Sequence, residues 1–140
     1  ILTALAILSL FTIAALAEEP FLGEDQKSGL VNFDNGDDMF YWLLRSRRSP
    51  KTDPLIFWLT GGPGCASEVA LLFENGGFTV ENDQSLTLNA HSWSEVSNIV
   101  FVDNPVGTGF SDSVSPTHLA RTEEEIAANL YLLLKGFLEQ

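Results

Sequence analysis

The segment of residues 53–74, DPLIFWLTGGPGCASEVALLFE, is the feature that most constrains the fold of this chain. Leu55–Leu59 is a short apolar run that follows a proline, which is typical of a strand buried on both faces. The run GGPG at 61–64 cannot continue that strand, because glycine and proline favour other backbone dihedrals. From Ala66 onward the apolar spacing predicts a helix, with one face formed by Val69, Leu72 and Phe73.

The order of strand, glycine-rich loop and helix predicts an α/β fold with a site at the loop. Backbone N–H groups beside a helix N-terminus suit an anion or a developing oxyanion. The alternative is a tight turn without chemistry, since a glycine-rich motif alone carries a risk of false matches.

Length and charge narrow the classes of function. The formal net charge of −12 and the lack of a basic stripe exclude nucleic acid as a partner. Four of the seven basic residues lie within residues 45–51, which we interpret as a solvated loop. At 140 residues the chain can bury one core, but α/β architectures of this kind usually run longer, so a fragment is one hypothesis.

The first 17 residues are uncharged and mostly apolar, and they end in the small-x-small sequence Ala15-Leu16-Ala17. This pattern predicts a secretory signal peptide with an incomplete start, and a membrane anchor is the alternative. Residues 18–27 are acidic and poor in large apolar residues, so we expect a mobile start to the mature chain. We expect no membrane contact once the signal is removed.

A β-hairpin is predicted next, with Leu30, Val31 and Phe33 on the first strand, an acidic turn at 34–38 and a returning strand at 39–44. The acidic turn lacks the spacing of a twelve-residue calcium loop, so we predict no metal. No cofactor is predicted anywhere in the chain.

The second half of the chain repeats the strand-to-loop pattern. Residues 74–77 should end the first helix with a left-handed glycine cap, and residues 78–88 read as polar turns. Asn98–Val102 is a second buried strand, and the loop that follows it should lie beside the first glycine loop at one edge of a parallel sheet. A capping box at Thr122 and Glu125 starts the last helix, which packs through Ile126, Leu130, Leu133, Leu134 and Phe137.

Several segments resemble the serine carboxypeptidases. WLTGGPGCASEVALLFENG at 58–76 is similar to the family signature WLNGGPGCSS...ENGP, and SWSEVSNIVFVDNPVGTGFS at 92–111 is similar to a second family segment. Residues 28–42 resemble the opening SG...FYW hairpin. The resemblance implies that residues 28–140 are the N-terminal part of an α/β-hydrolase domain in a secreted or vacuolar peptidase.

The resemblance also implies roles for individual residues. Gly62 would supply a backbone N–H to the oxyanion hole, and Gly61 would lie in the loop that contacts the terminal carboxylate of the substrate. Trp58 and Glu74 would belong to the network that recognises this carboxylate, and Glu74, if buried among apolar neighbours, would stay protonated and donate a hydrogen bond. Thr60 departs from the family Asn and offers one donor where an amide offers two.

The catalytic triad of the fold is not found in these residues. The nucleophile of an α/β-hydrolase lies in a G-x-S-x-G elbow, and Ser111 lacks that context. His91 and His118 precede the expected position of the nucleophile, so we interpret both as solvated or capping residues. The resemblance implies that Cys65, the single cysteine, pairs with a later cysteine, and a buried free thiol is the alternative.

Three hypotheses of function follow. The first is the N-terminal part of a serine carboxypeptidase that removes residues from peptide or protein C-termini through an acyl-enzyme, in acid, in the extracellular space or in the lysosome or vacuole. On this hypothesis the 140-residue chain alone should be inactive. The second is a carboxypeptidase-like acyltransferase. The third is a secreted non-catalytic binding protein on the same scaffold.

Overall fold

The computed structural model describes residues 20–140, so the predicted signal peptide at 1–17 lies outside the described residues. The described part contains six strands and two α-helices. In chain order they are β1 (Gln26–Asn32), β2 (Asp38–Leu44), β3 (Leu55–Leu59), α1 (Glu68–Phe73), β4 (Phe78–Val80), β5 (Leu86–Leu88), β6 (Asn98–Val102) and α2 (Glu123–Leu138). Within this range no helix combines the length and the apolar character that a membrane crossing requires.

A four-stranded sheet in the order β1-β2-β6-β3 organises the fold. Strands β3 and β6 pair in parallel with Phe57 opposite Val100, and β2 pairs with β6 in antiparallel orientation. All five residues of the central strand β6 are buried, as predicted. The prediction that β3 is buried on both faces is wrong for the described residues, where β3 is an edge strand with Leu55 and Leu59 about two-fifths exposed.

The predicted hairpin is confirmed, and β1 and β2 pair in register with Val31 opposite Met39. The first strand begins at Gln26, inside the segment 18–27 that we expected to be a mobile start. One reason is a side-chain contact across the hairpin, because the Trp42 indole N–H donates to Gln26 Oε1 over 2.8 Å. The acidic turn that joins the strands is held by Asn35, whose amide donates to Asp37.

Two apolar clusters cover the two faces of the sheet. The cluster beneath α2 contains Val31, Met39, Tyr41, Val100, Val102, Val106 and Leu133, and the cluster beneath α1 contains Leu44, Ala70, Leu71, Phe78, Ile99 and Phe101. Helix α2 begins with the predicted capping box, in which Thr122 and Glu125 each accept from the other's backbone N–H. Most of its predicted apolar face is confirmed, with Leu133 buried and Leu130, Leu134 and Phe137 partly buried against this cluster. Ile126 is half-buried but lies outside the cluster.

Helix α1 differs from its prediction in start and orientation. It begins at Glu68 rather than Ala66, and Ala70 and Leu71 are the buried residues. Of the predicted face, Leu72 is partly buried against the core, whereas Val69 and Phe73 are exposed. The apolar spacing indicated a helix correctly but could not say which neighbours would cover it.

The glycines after α1 also serve another purpose than predicted. Neither Gly76 nor Gly77 takes a positive φ, so the left-handed cap is wrong. Gly76 packs against the helix so closely that an added Cβ would overlap the carbonyl of Leu71. Residues 78–88, which we read as turns, form the short hairpin of β4 and β5, whose three-residue strands are too brief for an alternation to show.

Candidate substrate-binding site

Two loops meet at the carboxyl ends of β3 and β6, as the parallel sheet predicted. We call residues 60–64 the glycine loop and residues 103–111 the anchor loop. The Gly64 N–H donates to Asn104 O over 3.3 Å, and the Ser67 N–H donates to Asp103 Oδ1 over 2.7 Å. The glycine loop and the start of α1 are therefore fastened to the loop that follows the central strand.

The glycine loop presents backbone donors that the described residues leave unused. Gly61 and Gly62 are exposed, and within residues 20–140 neither of their N–H groups donates a hydrogen bond. An added Cβ on Gly62 would meet no atom within 4 Å, so another group has room to approach this amide. Unpaired N–H groups in a fixed loop are the donors that stabilise a developing oxyanion.

Thr60 lies at the start of the glycine loop and is oriented by two contacts. The Trp58 indole N–H donates to Thr60 Oγ1 over 3.2 Å, and the Thr60 N–H donates to Ser67 Oγ over 3.1 Å. Because the hydroxyl oxygen accepts from the indole, its own hydrogen is free to point toward a ligand. Trp58 in turn packs edge-on against Trp93, with ring centroids 5.1 Å apart.

The anchor loop is built around Asp103, a residue to which the sequence analysis assigned no role. Its side chain is fully buried and accepts from the backbone N–H of Ser67 and, over 2.8 Å, from that of Phe110. Gly109 has a positive φ, and an added Cβ there would overlap the Asp103 carboxylate. The sequence signal was a lone Asp directly after a buried strand, in a loop of glycines and proline.

Ser111 is a structural residue in this loop. Its hydroxyl donates to Asp103 O over 2.7 Å and accepts from the Phe40 N–H over 2.8 Å. The side chain is buried and both of its hydrogen-bonding functions are occupied, which agrees with our decision to exclude it as a nucleophile.

Glu74 lies at the C-terminal end of α1 and is exposed, so the burial we expected for this carboxyl is not found among residues 20–140. Its neighbour Leu71, one turn earlier in the helix, is by contrast fully buried. The Glu74 backbone is nevertheless held, because the Asn89 amide donates to Glu74 O over 3.4 Å and to Gly76 O over 3.0 Å.

Arg47 stabilises the segment that follows α1, although we had predicted that it lies in a solvated basic loop. Its side chain is about four-fifths buried and pairs with Glu24 over 2.7 Å and with Glu95 over 2.5 Å. The same guanidinium donates to Asn89 O and Gly77 O. A run of basic residues does not reveal which member has buried acceptors within reach, so the sequence could not single out Arg47.

The carboxyl whose pKa is raised in this region is Glu68, not Glu74. Burial, together with the nearby Asp103 carboxylate, raises the pKa of Glu68 to about 7. Glu68 Oε2 is buried and has no hydrogen-bond partner among the described residues. The sequence analysis missed Glu68, because a Glu in the first turn of a helix is ordinarily a solvated residue.

Neither histidine forms a hydrogen bond with the glycine loop among the described residues. His91 is exposed, and His118 Nδ1 lies 3.0 Å from both carboxylate oxygens of Asp37. Although burial opposes the charge, hydrogen bonds from His118, the Val114 N–H and Asn35 hold the pKa of Asp37 below its usual value. Cys65 is exposed and unpaired within residues 20–140, so its pairing with a later cysteine stays a prediction.

Comparisons with known proteins bear on this geometry. A family model described as serine carboxypeptidase matches residues 17–140. The chain is 47% identical over 102 residues to serine carboxypeptidase-like 48 of Arabidopsis thaliana, a match that covers 73% of the chain and 20% of that relative. It is 46% identical over 110 residues to serine carboxypeptidase S10 family member 1 of Dictyostelium discoideum, with 79% and 26% covered.

The fold is similar to a solved structure of the same class. The crystal structure of Kex1(delta)p, a prohormone-processing carboxypeptidase from Saccharomyces cerevisiae, matches with a TM-score of 0.73 and 26% identity. The match covers 83% of this chain and 28% of that chain. The chain thus spans about a fifth to a quarter of the length of the curated relatives it matches.

Proposed function

The chain belongs to the serine carboxypeptidase family and carries part of its α/β-hydrolase fold, and from this we propose that the protein bearing it hydrolyses C-terminal residues from peptides. The observation that carries the proposal is the glycine loop, whose two adjacent unused N–H groups lie next to an oriented hydroxyl. These three donors suit two anionic oxygens, one on the reacting carbonyl and one on the substrate's terminal carboxylate.

In this proposal the donors divide between two tasks. The Gly62 N–H stabilises the oxyanion of the tetrahedral intermediate, and removal of such a donor typically costs ~3 kcal/mol of transition-state stabilisation. The Gly61 backbone and the Thr60 hydroxyl hold the carboxylate, with Trp58 fixing the direction of that hydroxyl. Glu74 provides a second contact to the carboxylate when the bound substrate covers it.

The reaction proceeds through an acyl-enzyme on a serine in a G-x-S-x-G elbow, which the 140 residues do not contain. The serine oxygen attacks the last peptide carbonyl while its proton passes to a histidine. The histidine then gives this proton to the leaving amino group as the C–N bond breaks. Water hydrolyses the resulting ester by the same proton transfers in reverse. The residues described here contribute binding and oxyanion stabilisation to these steps, and alone they are inactive.

The proposal includes the secretory pathway as the location, with residues 1–17 as the signal peptide and an extracellular or lysosome-like compartment as the destination. The proposal keeps an acidic compartment as the working environment. The exposed thiol of Cys65 is accessible for pairing with a cysteine beyond Gln140, which an oxidising compartment permits.

Thr60 is the observation that favours a second candidate, an acyltransferase on the same scaffold. A single hydroxyl donor binds a carboxylate more weakly than the two N–H groups of an amide. A loop that binds carboxylates weakly is compatible with an acyl donor that has no free carboxylate. The two candidates differ in the acceptor of the acyl group, which is water in the first and a small-molecule hydroxyl in the second.

A direct test expresses the protein as its gene encodes it and supplies peptides with free and amidated C-termini at pH 5. We expect release of the last amino acid from the free peptide and little release from the amidated one. A serine-directed phosphonofluoridate should abolish the release, because it forms an ester with the nucleophile. Equal release from both peptides, or acyl transfer to an added alcohol without peptide hydrolysis, would contradict the carboxypeptidase proposal.

A further inference from the structure

Asp103 is the contact that fastens the glycine loop to the sheet. Its two carboxylate oxygens accept from backbone N–H groups on either side of the site, Ser67 at the start of α1 and Phe110 in the anchor loop. Ser67 also receives the Thr60 N–H on its hydroxyl oxygen and donates to Val102 O over 2.6 Å. A displacement of Asp103 would therefore move Ser67, and with it Thr60 at the start of the glycine loop.

Glu68 is the residue that acts on Asp103. Glu68 directly follows Ser67, whose N–H donates to Asp103, so its carboxyl lies near that of Asp103. Its Oε2 atom is buried without a partner among the described residues. As two carboxylates, both groups can only accept, so the buried oxygen stays unsatisfied and the charges repel. A single proton on Glu68 removes both penalties, because the protonated carboxyl donates to an Asp103 oxygen that has a lone pair left.

We propose that Glu68 is a positioning residue that, in its protonated form, donates a hydrogen bond to Asp103 and so keeps the glycine loop aligned in acid. When Glu68 loses this proton, the two negative charges push the start of α1 away from the anchor loop. The donors at Gly61 and Gly62 then lose their alignment. The effect on catalysis rests on the proposed carboxypeptidase function, whereas the effect on the fold does not.

The charges around Glu68 are few. Helix α1 packs on β4 and β6, and neither strand has a titratable side chain. Cys65 lies in the preceding segment and Glu74 at the far end of the helix, and neither carries a positive charge. None of the salt bridges among residues 20–140 includes Glu68 or Asp103. Asp103 is thus the charge that governs Glu68.

The direction of the pH dependence follows from the pKa. The pKa of Glu68 is about 7 in the fold, against 4.5 for a free Glu, so the folded state binds more protons than the unfolded state between these values. The stabilisation is therefore complete below pH 4.5 and is lost as the pH rises through 7. A neutral amide at position 68 keeps a donor at every pH and should abolish this dependence.

The test compares the wild type with Glu68→Gln and Glu68→Leu, in the protein as its gene encodes it, with Glu124→Gln as an exposed control on α2. We would measure kcat/KM for a peptide with a free C-terminus, and Tm, at intervals from pH 4.5 to 8.5. Relative to Glu68→Gln at the same pH, we expect kcat/KM of the wild type to fall about tenfold from pH 5.5 to pH 8, since a group with a pKa of about 7 is about one-tenth protonated at pH 8. The contribution of Glu68 to Tm should fall between pH 4.5 and about 7 and then level off.

Glu68→Gln should match the wild type in acid and keep only the pH dependence that the catalytic histidine causes, because its amide donates at every pH. Glu68→Leu should have the same pH dependence as Glu68→Gln but lower values throughout, because it has no donor. Glu124→Gln should follow the wild type. A Glu68→Gln protein with the wild-type dependence of both kcat/KM and Tm would overturn the proposal.

The two readouts separate the two proposals. If no variant releases amino acids but Glu68→Gln still removes the pH dependence of Tm, the positioning role stands and the proposed function fails. If peptides are hydrolysed but Glu68→Gln leaves both profiles unchanged, the proposed function stands and the role of Glu68 fails. If Glu68→Gln does not fold, retention of the wild-type Tm profile by Glu68→Leu would overturn the role, and loss of that profile would support it.

Discussion

The glycine loop and the anchor loop both follow parallel strands, yet they use their backbone polar groups in opposite ways. In the anchor loop Asp103 is completely buried, and each of its carboxylate oxygens accepts a backbone N–H, one from either side of the site. In the glycine loop Gly61 and Gly62 are exposed, and their donors are unused among the described residues. The unused N–H groups of the glycine loop are therefore held in position by the fully hydrogen-bonded anchor loop beside them.

The largest expected effect comes from breaking the closed loop with Asp103→Ala. Two charge-assisted hydrogen bonds are lost and two backbone donors are left unpaired, so we expect the free energy of unfolding to fall by about 3 kcal/mol or more. Urea denaturation of the protein as its gene encodes it measures this loss. Asp112→Ala is the control in the same region, because Asp112 is exposed, and it should cost less than about 1 kcal/mol. Equal losses for the two variants would contradict the comparison.

The next effect comes from filling the open loop with Gly62→Ala. The backbone of Gly62 has no positive φ and an added Cβ meets no neighbour, so the free energy of unfolding should barely change. The methyl group would occupy the space from which a carbonyl oxygen approaches the N–H. We expect kcat to fall roughly 100-fold, as when an oxyanion donor is removed. A large loss of stability with kcat unchanged would mean that the glycine serves the fold and not the site.

A smaller effect is expected from Thr60→Asn, which adds a hydrogen-bond donor to the glycine loop. A hydrogen bond to a charged group is worth about 1.5 to 3 kcal/mol, so KM for a free-carboxylate peptide should fall roughly tenfold or more. The same variant should not improve KM for an amidated peptide, because no carboxylate remains for the added N–H. Steady-state kinetics with both peptides measures the difference. Equal changes of KM for the two peptides would rule out this loop as the part of the site that binds the terminal carboxylate, and would favour the acyltransferase.

The smallest effect is expected at a contact that belongs to neither loop. His118 is one-third exposed and pairs with Asp37, which also accepts from Asn35, Val114 and Ser113. Since partly exposed ion pairs contribute little, His118→Ala should lower the free energy of unfolding by less than about 1 kcal/mol and leave kcat unchanged. Because the pKa of Asp37 is lowered in the fold, its stabilisation is present near neutral pH and is lost in strong acid. A change in kcat would show that this pair reaches the site.

Local patterns in the sequence predicted much of the fold. Strands β3 and β6 have the predicted bounds, and the capping box of α2 is confirmed, because strand composition and helix capping depend on residues a few positions apart. The parallel arrangement that brings the two loops together was also foreseen. The exposure of β3 was not, because burial of a strand depends on the neighbours that flank it and not on its own residues.

The parts that the sequence could not predict depend on contacts between distant residues. Asp103 and Glu68 are 35 positions apart, and nothing in either local segment indicates that these two carboxyls of like charge lie close together. Arg47 was indistinguishable from its basic neighbours until its acceptors on Glu24, Asn89 and Glu95 were in place. The glycine loop itself was identified because its composition is unusual over only four residues.

The edge-on contact of Trp58 with Trp93 makes the site optically distinctive. The Trp58 indole N–H is bonded to the hydroxyl of Thr60, so a ligand that engages this hydroxyl alters the polarity around one of two closely coupled indoles. Trp42, the third tryptophan of these 140 residues, donates instead to Gln26 on the hairpin, away from the loop. Occupancy of the loop can therefore be followed by tryptophan emission and near-ultraviolet dichroism, without a label and without turnover.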